Sequence, residues 1–350
     1  MNKKITLLAI VTGVTLTILA GILLRGHMPG GLTQSHQKDK TSQPISFRLK
    51  WVIYSSFAHH FVALDKGFFK QENLSVTIQP GGAGLDPIKL VASGADDVGL
   101  AGYAQILLAR EKGIPVVAIA EEMIKSGVVA ITLKSSGITT PQGFIGKTVG
   151  VVPGSDPTTV YQALMAKLKI DRSKIKEVPI GFDLAPLFDG RIDVDSVAYI
   201  SNQPIVAEDK GFPVNIINPA DYGVSVGGNV IFTSEKALAE RRPELKRFLR
   251  AVLRGIIESQ RMSDDEVVKT VLTHNDKLNS STEHKIWKVT KDVLLSHDPT
   301  TVGLMPDETW QRTADIFHEQ GLLKTVPDLG KAYTNELIEE ILREGLELHE

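Results

Sequence analysis

The feature that most constrains the fold is a regular alternation of short apolar strands and helical segments in the first 200 residues after the N-terminal region. Segments with a strand pattern are 47–54, 74–79, 98–102 and 116–120, and segments with helical spacing are 57–66, 86–93 and 104–112. Gly67 follows the first helical segment, as is typical of a helix C-terminus. Strands that alternate with helices predict an α/β domain with a largely parallel sheet. Ligands of such sheets bind outside the carboxyl ends of the strands.

A second α/β unit is predicted to follow the first. Segment 128–133 reads as a strand that leads into a crossover, and further strands are predicted at 148–152, 175–180 and 194–200, with helices that start near Pro157, Ala185 and Gln203. From residue 243 onward the pattern is mostly helical. Lys246, Arg250 and Arg254 recur every four residues, which predicts a solvated helix face rather than a docking surface.

The turn that contains Gly154 is a candidate for one wall of a binding cleft. The β-branched strand 148–152 precedes it, Ser155 or Asp156 can cap the next helix, and Pro157 suits the first helical turn. The helix N-terminus would then present free N–H groups and the positive end of its dipole to a ligand. An ordinary capped connection explains the same residues.

The first 25 residues are predicted to be a membrane anchor or signal segment. Lys3 and Lys4 precede the uncharged run 5–24, which is long enough to span a bilayer as a helix. Because the run exceeds a usual signal core and no clear Ala-x-Ala site follows, an uncleaved transmembrane helix is favoured over a cleaved signal. Residues 26–45 are a predicted linker, so the folded body is expected to face the periplasm or cell exterior.

Charge and cysteine content exclude several functional classes. The chain has 39 basic and 41 acidic residues, a net charge of −2, which does not indicate a nucleic-acid-binding protein. It has no cysteine, which excludes disulfides, thiolate metal sites, cysteine nucleophiles and lipid attachment at an N-terminal cysteine. No Ser–His–Asp order, metal-ligand spacing or P-loop is present. We therefore expect no cofactor, no metal and no enzymatic activity.

Several segments in order carry a resemblance to a known family. They are residues 61–76, Val91-Ala-Ser-Gly-Ala-Asp-Asp-Val-Gly-Leu100, Gly113-Ile-Pro-Val-Val117, Gly146-Lys-Thr-Val-Gly150, Gly181-Phe-Asp-Leu-Ala-Pro186, Asn202-Gln-Pro204 and Asp221-Tyr-Gly223. Over residues 46–260 the chain resembles the type 2 periplasmic solute-binding proteins of ABC transporters, specifically the group that binds thiamine pyrimidine precursors.

The resemblance implies a two-lobe α/β fold, the type 2 periplasmic binding protein fold, with a helical C-terminal region. Residues 46–133 and 230–350 are assigned to lobe 1 and residues 134–229 to lobe 2, with the ligand between them. The implied function is capture of a small heteroaromatic solute, first of all a thiamine pyrimidine precursor, for an ABC permease and its ATPase. A membrane-anchored receptor without a permease and a sulfonate- or nitrate-type binder remain alternatives.

An enzyme in the same superfamily forms the thiamine pyrimidine from a histidine and pyridoxal phosphate, and it carries a cysteine-rich iron motif. This chain has no cysteine, so the motif is absent. An ungapped reading back from Lys66 places Phe57 where that enzyme has its donor histidine, and His59 and His60 follow two and three residues later. The resemblance to the enzyme is therefore the least favoured functional interpretation.

Ten residues are predicted to contact ligand: Trp51, Tyr54, His59, Gln105, Gly154, Ser155, Thr158, Asp183, Tyr199 and Asn202. Trp51 and Tyr54 can stack on a flat ring, and core packing is the alternative for both. Gln105 has the donor and acceptor groups that suit an aminopyrimidine edge. Asp183 can accept from an amine or cap the helix near Ala185.

Two adjacent histidines, His59 and His60, point about 100° apart on a helix, so at most one is expected to face the cleft. For each of them, a buried histidine with satisfied hydrogen bonds or a surface position is the alternative. Tyr199 and Asn202 follow a predicted strand end, where lobe 2 is expected to meet the ligand.

Overall fold

A computed structural model describes residues 42–82, 84–181 and 183–346 of the chain. The strands are β1 (Gln43–Arg48), β2 (Leu74–Gln79), β3 (Val98–Gly102), β4 (Val116–Glu121), β5 (Val128–Leu133), β6 (Thr148–Val151), β7 (Lys176–Pro179), β8 (Val194–Tyr199), β9 (Val214–Ile217) and β10 (Asn229–Ser234). The predicted membrane segment and most of the predicted linker lie outside the described residues. Within the described ranges, no helix is both long enough and apolar enough to cross a membrane.

The helices flank two sheets and then form most of the C-terminal region. They are α1 (Ala58–Asp65), α2 (Phe68–Gln71), α3 (Pro87–Ala92), α4 (Tyr103–Glu111), α5 (Asp156–Lys167), α6 (Ala185–Phe188), α7 (Gln203–Asp209), α8 (Glu235–Glu240), α9 (Arg242–Arg261), α10 (Asp264–His274), α11 (Ser280–Val289), α12 (Asp307–Glu319), α13 (Leu329–Ala332) and α14 (Glu336–Glu344). A short π-helix, Thr290–Leu294, extends α11.

Each lobe is built on a five-stranded mixed sheet. The order is β2-β1-β3-β10-β4 in lobe 1 and β7-β6-β8-β5-β9 in lobe 2. β10 runs antiparallel to β3 and β4, and β5 runs antiparallel to β8 and β9. Each of these two strands directly follows a crossover between the lobes. The prediction of alternating strands and helices is confirmed, but the sheets are mixed because each crossover delivers its strand in the reverse direction.

The boundary between the lobes differs from the one expected from the sequence. Segment 128–133 was assigned to lobe 1, but β5 makes its hydrogen bonds with β8 and β9 of the second sheet. The crossovers are therefore residues 122–127 and 218–228. Strands β9 and β10 were absent from the sequence prediction, because the strands that they pair with, β5 for β9 and β3 and β4 for β10, are distant in the chain.

The first strand also ends earlier than predicted. β1 pairs with β2 as far as the partners Arg48 and Gln79, and the next residue after β2 is Pro80. Proline has no N–H group and so the ladder stops there. Residues 51–54, expected as strand, instead form the loop that leads into α1.

Helix α9 packs across α1 and forms the core of lobe 1. Its buried positions Leu245, Leu249, Val252 and Ile256 follow helical spacing. At Gly255 a Cβ would lie only 2.5 Å from the backbone oxygen of a residue in α1, so glycine allows the two helices to approach closely. The C-terminal helices thus hold α1 and the loop before it in place.

The basic residues of α9 do not form the solvated face that their spacing predicted. Lys246 Nζ lies 2.9 Å from Glu340 Oε2, and Arg250 Nη1 lies 3.2 Å from Glu72 Oε2. Arg254 is buried, with its guanidinium 4.2 Å from the centre of a phenylalanine ring. Acidic side chains of α14 and of the segment after α2 pair with this stripe, which the helical pattern of α9 alone does not reveal.

Candidate functional site

A cavity of about 300 Å³ opens between the lobes at the carboxyl ends of strands from both sheets. Its lining residues are Lys50, Trp51, Gly82, Gly84, Leu85, Asp86, Pro87, Lys89 and Gln105 from lobe 1, and Val152, Pro153, Gly154, Ser155, Asp156, Pro157 and Tyr199 from lobe 2. Ligands of α/β sheets bind at this end of the strands. We call this cavity the ligand cleft.

The loop after β1 forms the lobe 1 wall. Trp51 is half-buried there, and its carbonyl oxygen accepts a hydrogen bond of 2.9 Å from the N–H of Gly81. A Cβ at Gly81 would lie 2.4 Å from the carbonyl oxygen of Leu49, so glycine is needed for the loops after β1 and β2 to touch. This close approach holds the indole of Trp51 at the cleft.

The turn between β6 and α5 forms the lobe 2 wall. Gly154 has a φ of 78°, a left-handed conformation that favours glycine. Ser155 Oγ accepts from the N–H of Thr158 at 3.3 Å, and the Thr158 hydroxyl donates to the carbonyl oxygen of Val152 at 2.9 Å. The turn uses these groups internally, so the free N–H groups expected from the sequence are fewer. What remains for a ligand is the positive end of the α5 dipole.

Lys50 and Asp156 bring opposite charges together across the cleft. Lys50 Nζ of lobe 1 lies 3.5 Å from Asp156 Oδ2 of lobe 2 and 4.8 Å from the ring centre of Tyr199. Asp156 also lies against Gly102, where a Cβ would come within 2.4 Å of its Oδ1. Burial, and next the charge of Asp156, raise the pKa of Tyr199 well above its usual value, so this phenol is a neutral group.

A chain of buried polar groups runs from the ligand cleft into lobe 1. Lys50 Nζ donates to Asn229 Oδ1 at 2.6 Å, and Asn229 Nδ2 donates to Glu122 Oε2 at 2.9 Å. Glu122 Oε1 lies 3.0 Å from His59 Nε2 and 2.7 Å from His60 Nε2. Glu122 begins the first crossover, and Asn229 directly follows the second. The buried chain therefore connects the cleft lysine to both crossovers.

Protonation in the buried chain follows from burial and hydrogen bonding. Burial opposes ionisation of Glu122, but the hydrogen bonds from His59 and His60 outweigh it and hold the pKa of this carboxyl well below its usual range. Burial, and next the neighbouring His59, lower the pKa of His60 to about 4. At neutral pH the Glu122 carboxylate is therefore ionised and the imidazole of His60 is neutral, and the carboxylate also accepts from the Asn229 amide.

His59, His60 and Glu122 also bring three metal-ligand atoms within 4.8 Å of one another. The Nδ1 atoms of both histidines are buried and have no hydrogen-bond partner in the described part of the chain. A metal-ligating histidine usually donates its other N–H to an acceptor. The distances and the unpaired Nδ1 atoms therefore favour hydrogen bonds to Glu122 over metal ligation.

Five of the ten predicted residues line the ligand cleft: Trp51, Gln105, Gly154, Ser155 and Tyr199. Gln105 also uses its Oε1 to accept from the N–H of Gly102, at 3.1 Å, and so caps its own helix. These five come from separate segments of both lobes, as the resemblance implied.

The other five predicted residues lie elsewhere: Tyr54, His59, Thr158, Asp183 and Asn202. Tyr54 is buried and packs edge-on against Phe57, and His59 belongs to the buried chain. Thr158 closes the turn before α5. Asp183 Oδ1 accepts from the N–H of Ala185, the first residue of α6, at 3.1 Å, although the N-cap position itself is Leu184. Asn202 lines a different crevice, beside α7 and α11.

Sequence reasoning missed Lys50, Asp156, Glu122 and Asn229. The position of Lys50 next to Trp51 at a strand end was an available signal, and Asp156 was considered only as a helix cap. Glu122 and Asn229 are 107 residues apart and meet only through the fold.

Comparisons with known proteins agree with this architecture. The solved alkanesulfonate-binding protein SsuA from Xanthomonas axonopodis pv. citri, bound to MOPS, has a TM-score of 0.62 with this chain at 16% identity, over 84% of this chain and 99% of that one. This similarity establishes the two-sheet periplasmic binding protein fold.

Sequence relatives define the family. The formylaminopyrimidine-binding protein of Halalkalibacterium halodurans is 29% identical over 267 residues, 75% of this chain and 80% of that protein. The riboflavin-binding protein RibY of Chloroflexus aurantiacus is 23% identical over 310 residues, 85% of this chain and 87% of that protein. Relatives at lower similarity are named 4-amino-5-hydroxymethyl-2-methylpyrimidine phosphate synthases. Residues 55–261 match the family model described as NMT1/THI5 like, and the chain belongs to that family.

Proposed function

We propose that this protein captures a small nitrogen heterocycle, a thiamine pyrimidine precursor, outside the cytoplasm and delivers it to an ABC importer. The observation that carries the proposal is the ligand cleft, in which two aromatic residues, Trp51 and Tyr199, come from opposite lobes. Flat rings bind well between or against aromatic side chains. A volume of about 300 Å³ is at the lower end for small-molecule sites and suits a single-ring ligand.

The polar groups of the cleft match the edge of an aminopyrimidine. The Asp156 carboxylate can accept from an exocyclic amine, and the Lys50 ammonium can donate to a ring nitrogen. These two groups lie 3.5 Å apart, so one ligand edge with an adjacent donor and acceptor reaches both. The Gln105 amide nitrogen adds a further donor to the same cleft.

Two relatives support a heterocyclic ligand, since their names state formylaminopyrimidine and riboflavin. Both are flat nitrogen heterocycles with donor and acceptor edges. The relatives that are named as synthases favour an enzyme instead, but this chain lacks cysteine. Among its residues, His59 and His60 lie in the buried chain and do not line the ligand cleft.

Delivery to a permease and an ATPase rests on the binding-protein fold. We further propose that residues 1–25 anchor the protein in the membrane and remain in the mature chain. Intact-mass measurement on protein from the membrane fraction tests this, and loss of the first twenty or so residues would contradict it. Loss of import of the pyrimidine on deletion of the gene tests the transport role.

The decisive experiment identifies the ligand. Protein purified without denaturation is extracted, and the extract is identified by mass spectrometry. Calorimetric titration then compares 4-amino-5-hydroxymethyl-2-methylpyrimidine with its formylamino analogue, riboflavin and an alkanesulfonate. Tighter binding of either pyrimidine than of the other two supports the proposal. Tighter binding of riboflavin or of the sulfonate would contradict the proposal and would identify that compound's class as the ligand.

A further inference from the structure

A second cavity, of about 280 Å³, lies beside the two crossovers, and none of its described lining residues also lines the ligand cleft. Its walls include Lys125 and Ser126 of the first crossover and Asn218 and Ser225 of the second. Arg312 of α12 completes the polar part of the lining. We call this cavity the hinge cavity.

The charged side chains that line the hinge cavity are basic. Of its described lining residues, Lys125 and Arg312 are basic and none is acidic. Lys125 is exposed, and its ammonium makes no hydrogen bond or ion pair within the described ranges. Arg312 Nε donates to the Ser225 carbonyl oxygen at 3.2 Å and Nη2 to Thr309 Oγ1 at 3.3 Å, which leaves Nη1 for a ligand.

The neutral polar groups of the hinge cavity add further donors. Ser126 Oγ already accepts from the N–H of Val128, at 3.3 Å, so its hydroxyl hydrogen can donate outward. Asn218 Oδ1 accepts from the N–H of Ala220, at 3.1 Å, which leaves the amide nitrogen as a donor. With two cations, two such donors and no carboxylate among the described lining residues, the lining suits an anion.

The rest of the hinge cavity is apolar. Val128, Val224 and Leu294 are buried in its walls. Ile124 and Val293 also lie at its lining and are 38% and 39% exposed, so they add accessible apolar surface beside the buried walls. An apolar body would cover these side chains while its charged end meets Lys125 and Arg312.

We propose that the hinge cavity is a second binding site, for a small organic anion with a carboxylate and an apolar body. Mostly apolar walls with a few placed polar groups are typical of small-molecule sites. The proposal does not depend on the identity of the solute in the ligand cleft, because the two cavities have separate linings over the part of the chain that the structure describes.

The test uses benzoate as the probe and benzamide as its uncharged match of nearly the same shape. Binding to the full-length protein is followed by saturation-transfer NMR titration. We expect saturable benzoate binding and at least about tenfold weaker benzamide binding, since charge-assisted hydrogen bonds are the stronger ones. Equal binding of the two probes, or no saturable benzoate binding at its solubility limit, would overturn the proposal.

Variants locate the site. Lys125→Gln should weaken benzoate binding about fivefold to tenfold, and Arg312→Gln by a similar factor. Lys236→Gln, at an exposed position of α8, is the matched control and should leave it unchanged. Arg312→Gln also removes contacts to Ser225 and Thr309, so if that variant fails to fold, Lys125→Gln decides. Wild-type benzoate affinity in Lys125→Gln, or loss of benzoate binding in Trp51→Ala, would place the probe elsewhere and overturn the proposal.

Discussion

Lys50 and Asp156 face each other across the ligand cleft, one from each lobe, with 3.5 Å between ammonium nitrogen and carboxylate oxygen. Lys50 donates a hydrogen bond to Asn229 on the side of lobe 1, and Asp156 lies against Gly102 at the start of α4. The two lobes therefore meet at a polar contact that a ligand can either join or replace.

Closure of the lobes is expected to depend on the contact of Asp156 with lobe 1. Gly102→Ala would place a Cβ only 2.4 Å from Asp156 Oδ1 and so displace that carboxylate, while the φ of −82° at this position accepts alanine without strain. Asp156→Asn keeps the shape and removes the attraction to Lys50, at a cost of about 1 kcal/mol. We expect both variants to have a larger radius of gyration than wild type without ligand. Ligand should lower that radius in wild type, and identical scattering profiles in all cases would argue against lobe closure.

Trp51→Ala should weaken aminopyrimidine binding by about tenfold or more, because a large stacking face and its buried area are lost from the cleft. Calorimetric titration measures the change. Tyr54→Phe is the control, since Tyr54 is buried beside Phe57 and does not line the ligand cleft. Wild-type affinity in Trp51→Ala would show that the ligand binds elsewhere.

Ser155→Ala is expected to lower stability as well as any contact to ligand, because Ser155 caps α5. Loss of an N-cap serine to alanine costs about 1 kcal/mol, whereas replacement by glycine costs only a few tenths. Chemical denaturation of the alanine and glycine variants separates the two roles. If the hydroxyl contacts ligand, both variants lose affinity but only the alanine variant loses appreciable stability. Equal stability of all three proteins would exclude the capping role.

Glu122→Gln should destabilise the protein by about 3–5 kcal/mol, because a buried charged acceptor is replaced by a group that brings an extra donor. Glu122 accepts from His59, His60 and Asn229, and a turned Asn229 amide would lose its bond to Lys50. We expect both a lower midpoint of urea unfolding and weaker ligand binding. Glu308→Gln, at an exposed position, is the control and should match wild type.

Acid is also expected to weaken this buried cluster. The pKa of His60 is lowered to about 4 from an ordinary 6.5, so the unfolded chain binds more protons between these values. The contribution of His60 to stability is therefore complete above pH 6.5 and is lost as the pH falls towards 4. Glu122, whose pKa is also lowered, acts in the same direction.

Glu121 should have the opposite pH dependence. Burial raises its pKa to about 7 from 4.5, against a smaller opposing effect of the hydrogen bond that Tyr103 donates at 2.6 Å. The folded state then binds more protons than the unfolded state between pH 4.5 and 7, so the contribution of Glu121 is complete below 4.5 and is lost as the pH rises to 7.

The variant Glu121→Gln keeps an acceptor for Tyr103 but cannot ionise. Its stability relative to wild type should rise by about 3 kcal/mol from pH 4.5 to pH 8, measured by urea unfolding. A stability difference between Glu121→Gln and wild type that does not change from pH 4.5 to pH 8 would mean that Glu121 ionises normally in the folded protein.

The sequence by itself determined the local elements of this protein and the order in which they occur. Hydrophobic periodicity and turn residues are local signals, so segments such as 74–79, 98–102 and 128–133 were predicted with the same bounds as β2, β3 and β5. Trp51 and Gly154 were also predicted as cleft residues, because a residue just after a strand in an α/β fold lies at the ligand-binding edge.

Only the tertiary structure decided which side chains meet. The side chains of Tyr54 and His59 are buried in the core. Glu122 accepts a hydrogen bond from Asn229, 107 residues later in the chain, and Asn229 in turn accepts from Lys50 at the cleft. The direction in which a side chain points from a loop or a helix depends on what packs against it, and those partners are distant in the chain. The sheet to which a strand belongs is likewise set by the strands that pair with it. The structure therefore places β5 in the sheet of lobe 2 and not, as the sequence predicted, in lobe 1.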